Sequence, residues 1–350
     1  MKVVGLISIL FCNSVWADNN TNSDFTVLDR QHYEDTVHTS RAKIQDLLNT
    51  LHKYDNANAR MGIISRELMD IPYIFSGAAG EGNWQPTSLL YQPGAAHIKQ
   101  DPVYRLDGLN CQTFVQVAMA LLYSNNINAF DRNILKISYG AAGNPNGEIV
   151  RYFNRNHFID GDWNPVNQFN GFLVDVTAYG KLKPYTEIIS ADLTRQNWFS
   201  WQQHNLQGQV RVLNATDGPA MVDRFLTTYS TLNYSDFNFE RVSLRYIPKE
   251  KIALLQPNGS YQPNLTLLNK IPTPSVVEIV RDPKKWLING INIKDAMGSE
   301  LSVSHLGILY RKNFRRGEVI YQKITCTYNA KNEKVCEVAP TLCTKKRCTE

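Results

Sequence analysis

No internal stretch of this chain reaches the ~18 uninterrupted apolar residues of a membrane-spanning helix, so stable membrane insertion is not expected. No charge of one sign dominates. The 37 Lys and Arg against 32 Asp and Glu leave a net charge of +5, and the pI near 8.7 falls short of a nucleic-acid-binding signature. That balance suits a solvated surface or a substrate with carboxylates, and no nucleic-acid partner is expected. There is no internal repeat and no low-complexity tract. There is also no C-x-x-C pair among the six cysteines. With 43% hydrophobic and 20% charged residues, the chain is excluded from the disordered, collagen-like and coiled-coil classes. Its 350 residues make one large domain or two modest ones, at roughly 100–200 residues per domain.

The first 17 positions read as an address. Lys2 supplies the charge, Val3 to Phe11 is apolar, and Val15-Trp16-Ala17 fits a small-residue cleavage pattern. A signal peptide over residues 1–17 predicts cleavage after Ala17 and export to the periplasm or beyond. Phe11, a bulky residue directly before Cys12, argues against lipid attachment.

Export changes the meaning of the cysteines. Beyond Cys12 there are Cys111, alone, and Cys326, Cys336, Cys343 and Cys348, close together near the end. In an oxidising compartment the last four predict two disulfides of open connectivity, in a tail spanning 326–350. The absence of histidine from that tail argues against zinc, and no metal or other cofactor is expected.

Periodicity predicts helices at Ser40 to Leu51, Met61 to Met69 and Leu109 to Tyr123, the last with Phe114, Val117, Ala118, Leu121 and Leu122 on one face. Alternation predicts strands at Phe172 to Val176, Val242 to Ile247, Leu301 to Tyr310 and Glu318 to Cys326. The basic Arg311 to Gly317 segment would join the last two as a hairpin. The stretch from about Gly180 to Asn264 is weakly patterned and reads as an insertion in a domain spanning 18–325. Helices early and strands late argue α+β with a mainly antiparallel sheet.

Cys111 opens the strongest helix, in Leu109-Asn110-Cys111-Gln112-Thr113-Phe114. Asn110 or Asp107 can cap it. A thiol in a first helical turn feels the positive end of the macrodipole and free N–H groups, which favour thiolate and can hold an oxyanion. The same position also suits a buried structural cysteine. A thiolate nucleophile needs an imidazole. His305 is the best placed, since Val303, His305 and Gly307 share one strand face and Gly307 leaves room beside the ring. His157 is the second candidate, in a polar loop with Asp160, Asp162 and Trp163.

A helix-leading Cys followed by a strand reading S-H-x-G-I resembles the NlpC/P60 cell-wall peptidases, relatives of the papain-like fold. Four ordered segments are more specifically similar to the DUF1460 family of N-acetylmuramoyl-L-alanine amidase-like proteins. They are Ile71-Pro72-Tyr73, Leu109 to Val115, Arg151-Tyr152-Phe153 through Asp162-Trp163, and Val303-Ser304-His305-Leu306-Gly307-Ile308. The family usually reads D-C-x-T-F, whereas Asn110 takes the acidic position here.

The resemblance implies a papain-like NlpC/P60-type core and hydrolysis of peptidoglycan or muropeptide fragments, at the amide joining N-acetylmuramic acid to L-Ala. It implies Cys111 as nucleophile, His305 as its acid–base partner and Gln322, on the following strand, as the group orienting His305. Tyr73, Arg151, Arg155, His157, Asp162 and Trp163 would line the pocket. Cleavage between D-Glu and diaminopimelate on the same scaffold, and a non-catalytic wall-binding or effector module, are the alternatives.

Overall fold

The computed structural model describes residues 4–10, 30–73, 104, 106–139, 155–198, 239–311, 318–328 and 334–344. It divides into two units, residues 1–310 and 311–350. Among the described residues no helix is long and apolar enough to cross a membrane.

The first unit puts helices on a six-stranded sheet. Strand β1 (Val4–Leu10) is followed by helices α1 (Arg30–Leu51), α2 (Ala57–Glu67), α3 (Cys111–Tyr123) and α4 (Ile127–Tyr139). A π-helical turn (Ile159–Trp163) leads into α5 (Asn164–Phe169), β2 (Leu173–Asp175), β3 (Glu187–Thr194) and β4 (Phe239–Pro248). Then come α6 (Lys249–Ile252), the hairpin β5 (Ala253–Leu255) and β6 (Tyr261–Pro263), α7 (Leu265–Leu268) and β7 (Ser275–Val280). The ribbon β8 (Leu287–Ile288) and β9 (Ile291–Asn292), α8 (Ile293–Met297) and β10 (Val303–Leu309) complete the unit. The main sheet runs β10-β7-β1-β4-β3, with β2 paired to β1. Pairing in it is antiparallel except along β1, which lies parallel to β2, β4 and β7.

The α+β expectation therefore holds. The apolar run near the N-terminus, read as a signal peptide, forms β1 in the middle of the sheet. Both ends of the weakly patterned middle stretch, β3 and β4, pair with each other in that same sheet. Strand β10 pairs with β7. Strand β7 reads Ser-Val-Val-Glu-Ile-Val, almost wholly enclosed, and is flanked by β10 and β1.

Helix α3 is the centre of the core. Val115 and Val117 to Leu121 are fully enclosed and Leu122 nearly so. The one-face pattern underestimates this helix, which packs against α2, α4 and β10 at once. Ile44, Leu48 and Leu51 of α1, Met61 and Ile64 of α2, Phe130, Ile134 and Ile137 of α4, and Val276 and Leu306 of the sheet join it in one cluster. A second cluster, with Leu182, Ile247, Leu267 and Ile271 against Val277 and Leu309, lines other positions of the same strands.

The second unit is a hairpin of β11 (Glu318–Tyr328) and β12 (Lys334–Thr344), antiparallel along its whole length. The expected boundary at residue 326 falls inside β11. Residues 312–317, read as the basic turn, lie outside the described residues.

Candidate active site

Helix α3 starts at Cys111 because Asn110 stops the preceding extended chain and caps it. Asn110 has extended backbone angles (φ −95°, ψ 178°) and its Oδ1 accepts the N–H of Thr113 at 2.9 Å. The Thr113 hydroxyl accepts the N–H of Asn110 at 2.9 Å in return. This reciprocal box occupies the Thr113 amide and leaves the first-turn amides of Cys111 and Gln112 facing the sulfur. An Asp at this position would cap the helix equally well.

The Cys111 thiol is partly buried and unpaired. The backbone N–H groups of Leu306 and Gln112, the Tyr73 hydroxyl and the residue's own amide all bear on the sulfur. Each of these lowers its pKa, but burial outweighs them and pushes the thiol up. Desolvation thus exceeds the pull of the amides, opposite to the lowered pKa expected from the helix start. Tyr73 reaches the sulfur because the Leu109 N–H donates to the Pro72 carbonyl at 3.0 Å and Tyr73 bridges Leu109 in parallel. Its ring remains 59% exposed, on the open side of the site.

Strand β10 brings the imidazole. The register of β10 on β7 shifts between Val303 and His305, and the Ser304 hydroxyl donates to the Ile279 carbonyl at 3.0 Å. This irregularity re-aims the residue after it, as bulges do. His305 is exposed, and its partial burial lowers the ring's pKa. Gly307 follows on the same face, and a Cβ there would meet nothing within 4 Å, so the space beside the ring is open. The strand amide that bears on the sulfur belongs to Leu306, the residue after His305.

The approach to β10 is fixed by polar clamps. Ser299 Oγ accepts the Thr194 N–H at 2.9 Å, and Glu300 accepts the Asp192 N–H at 2.8 Å. The Ser302 hydroxyl donates to Asp160, whose buried carboxyl has a raised pKa. Asp160 was not singled out from sequence, where it is one of two aspartates in a turn.

The other expected residues scatter. Gln112 Nε2 donates to the Asn156 carbonyl at 3.0 Å, tying the segment before His157 to the first turn of α3. The His157 ring packs against Trp198, with centroids 5.1 Å apart and the planes tilted by 49°. Arg155 is buried at 4% exposure. Asp162 pairs with Arg195 at 2.7 Å, and the same guanidinium lies over Phe158. Trp163 is fully enclosed in the α3 cluster and offers a ligand no surface. Its apolar bulk follows α3, which the sequence pattern alone does not distinguish from a stacking platform. Arg151 lies outside the described residues. Gln322 stands on β11 of the second unit, across from Pro340. Among the described residues no group of three His, Cys, Asp or Glu side chains is arranged to hold a metal ion.

A family model described as AmiA-like, N-acetylmuramoyl-L-alanine amidase-like, matches residues 84–342. The fold is similar to the crystal structure of a Legionella pneumophila protein assigned to DUF1460, with a TM-score of 0.59 and 24% identity over 88% of each chain. No curated protein matches the chain in sequence.

Proposed function

Because the chain belongs to the AmiA-like family of N-acetylmuramoyl-L-alanine amidase-like proteins, we propose that it is an exported cysteine hydrolase that cuts the amide between N-acetylmuramic acid and L-Ala. The carrying observation is the contact of the Cys111 sulfur with the amide that follows His305. We read α3 against β10 as an NlpC/P60-type arrangement.

Both partners rest neutral, since burial raises the thiol and lowers the imidazole. The proton therefore moves as the sulfur attacks. His305 takes the thiol proton while Sγ bonds to the lactyl carbonyl carbon. The carbonyl oxygen becomes an oxyanion, held by first-turn N–H groups of α3 and the Tyr73 hydroxyl. Collapse breaks the C–N bond, and the imidazolium protonates the leaving amine of L-Ala. Water then attacks the thioester, His305 accepts its proton, and the thiol is restored as the sugar carboxylate departs. Gly307 leaves room for the chain on the His305 side.

Digestion of a defined disaccharide–tetrapeptide, with products weighed, tests this. The wild type releases the free disaccharide and an intact stem peptide starting at L-Ala, and Cys111→Ala releases neither. A disaccharide still carrying L-Ala–D-Glu assigns the D-Glu–diaminopimelate bond instead. Full turnover by Cys111→Ala removes the cysteine from the mechanism. Intact mass of the exported protein tests cleavage after Ala17, which would remove β1 from its place between β7 and β4.

A further inference from the structure

The register of the second unit sets Cys326 directly across from Cys336. Opposed residues in an antiparallel ladder have Cα atoms about 4.5 Å or 5.5 Å apart, depending on the kind of pair. A disulfide spans Cα separations of about 4.4–6.8 Å, so either kind accommodates one without moving the backbone.

The same register puts the other pairings on the ladder out of reach. Cys336 and Cys343 lie seven positions apart on one strand, β12. At a rise of about 3.3 Å per residue that is about 23 Å, far beyond disulfide reach. Cys343 stands across from Val319, itself seven positions from Cys326 on β11, so Cys326 and Cys343 are equally remote along the ladder. Among the three cysteines on the ladder, only Cys326 and Cys336 lie within bonding reach of each other. We propose that Cys326 and Cys336 form a cross-strand disulfide that locks the β11–β12 register.

The bond forms by exchange with a disulfide oxidant. The two thiols give up two protons and two electrons, and the oxidant leaves as two thiols. The lock has something to hold. Pro340, across from Gln322, has no N–H to give the ladder. A slip of one residue there would turn Gln322 and every neighbour to the opposite face. Gln322 and Cys326 are four positions apart and share a face, so the bond fixes the side on which Gln322 stands. The pairing does not depend on the hydrolase reading.

The test uses the full-length reduced chain, oxidised with a glutathione redox pair so that export plays no part, then alkylated with iodoacetamide. Trypsin with a glutamyl endopeptidase cuts after Lys323, Lys331, Lys334, Glu337, Lys345 and Arg347, which separates all four cysteines. We expect Ile324–Lys331 joined to Val335–Glu337. In Cys336→Ser, Cys326 should be recovered alkylated. Ile324–Lys331 joined to Val338–Lys345 or Cys348–Glu350, or Cys326 and Cys336 both alkylated in the wild type, overturns the assignment.

Discussion

The backbone N–H of Leu306 lies near enough to the sulfur of Cys111 to lower its pKa, so the thiol at the start of α3 feels the peptide group that follows His305. If His305 moves the proton, its loss removes general acid–base catalysis without emptying the site. His305→Gln should lower kcat/KM on a defined muropeptide by about 10²–10⁴-fold. Its urea-unfolding midpoint should match the wild type, which separates lost proton transfer from lost folding. Wild-type turnover by the variant would reject the role.

The pH profile follows from the direction of the two shifts. A lowered pKa keeps the imidazole in its neutral, proton-accepting form to more acidic pH. The acid limb of kcat/KM should therefore lie below the ordinary histidine value of about 6.5, with activity rising as pH rises through it. The raised thiol keeps its proton through neutrality, so alkylation of the free enzyme by iodoacetamide should climb only above the ordinary cysteine range. Alkylation already complete in rate at pH 6 would indicate a standing thiolate–imidazolium pair and refute the neutral resting state.

Tyr73 offers a sharper probe, because its hydroxyl pulls the thiol pKa down while its ring stays mostly exposed. Tyr73→Phe keeps the ring and removes the hydrogen bond. The thiol should titrate higher, and both alkylation at fixed pH and kcat should fall by about three- to tenfold, the modest size reflecting solvent at the open side. An unchanged alkylation profile would return Tyr73 to the role of a passive wall.

Much of this site was legible in the chain, and the rest was hidden for physical reasons. Cys111 was legible because a capping residue, a thiol and a helical period coincide within a few positions. His305 and Gly307 were legible because strand alternation puts them on one face. The Leu306 amide could not be read, since any residue supplies an N–H and only packing of α3 on β10 aims this one. The raised thiol pKa was missed for the same reason: the helix start is local and visible, whereas the burial that outweighs it comes from distant segments. Trp163 and Asp162 shared one polar-looking motif, yet the structure sends the ring into the core and gives the carboxylate to Arg195. The β1 strand shows the limit of composition, since an apolar run suits a leader and a sheet centre alike.

Asn110 separates capping from charge. Its side-chain oxygen accepts from Thr113, and a carboxylate would do the same. Asn110→Asp should leave stability within a few tenths of a kcal/mol, while Asn110→Ala should cost about 1 kcal/mol in urea unfolding. The Ala variant should also lower turnover, since a frayed first turn no longer fixes the N–H groups around the sulfur. Equal loss in both variants would mean that the amide hydrogens of Asn110 carry a role that the cap does not explain.

Gly298 tests whether the clamps before β10 hold the imidazole in place. Its φ of +74° lies in the left-handed region, and a Cβ there would come within 2.6 Å of the Asn197 carbonyl oxygen. That obstacle is backbone, so a flexible side chain cannot swing away to relieve it. Gly298→Ala must then either strain the turn or push β10's lead-in away from β3, loosening the bonds that Ser299 and Glu300 accept from Thr194 and Asp192. A cost of about 1–3 kcal/mol in unfolding is expected. If the clamps position His305, a folded Gly298→Ala enzyme should also lose kcat more than it gains KM, because a displaced imidazole weakens proton transfer and leaves substrate contacts in place. A destabilised variant with unaltered kcat would make the clamps structural only.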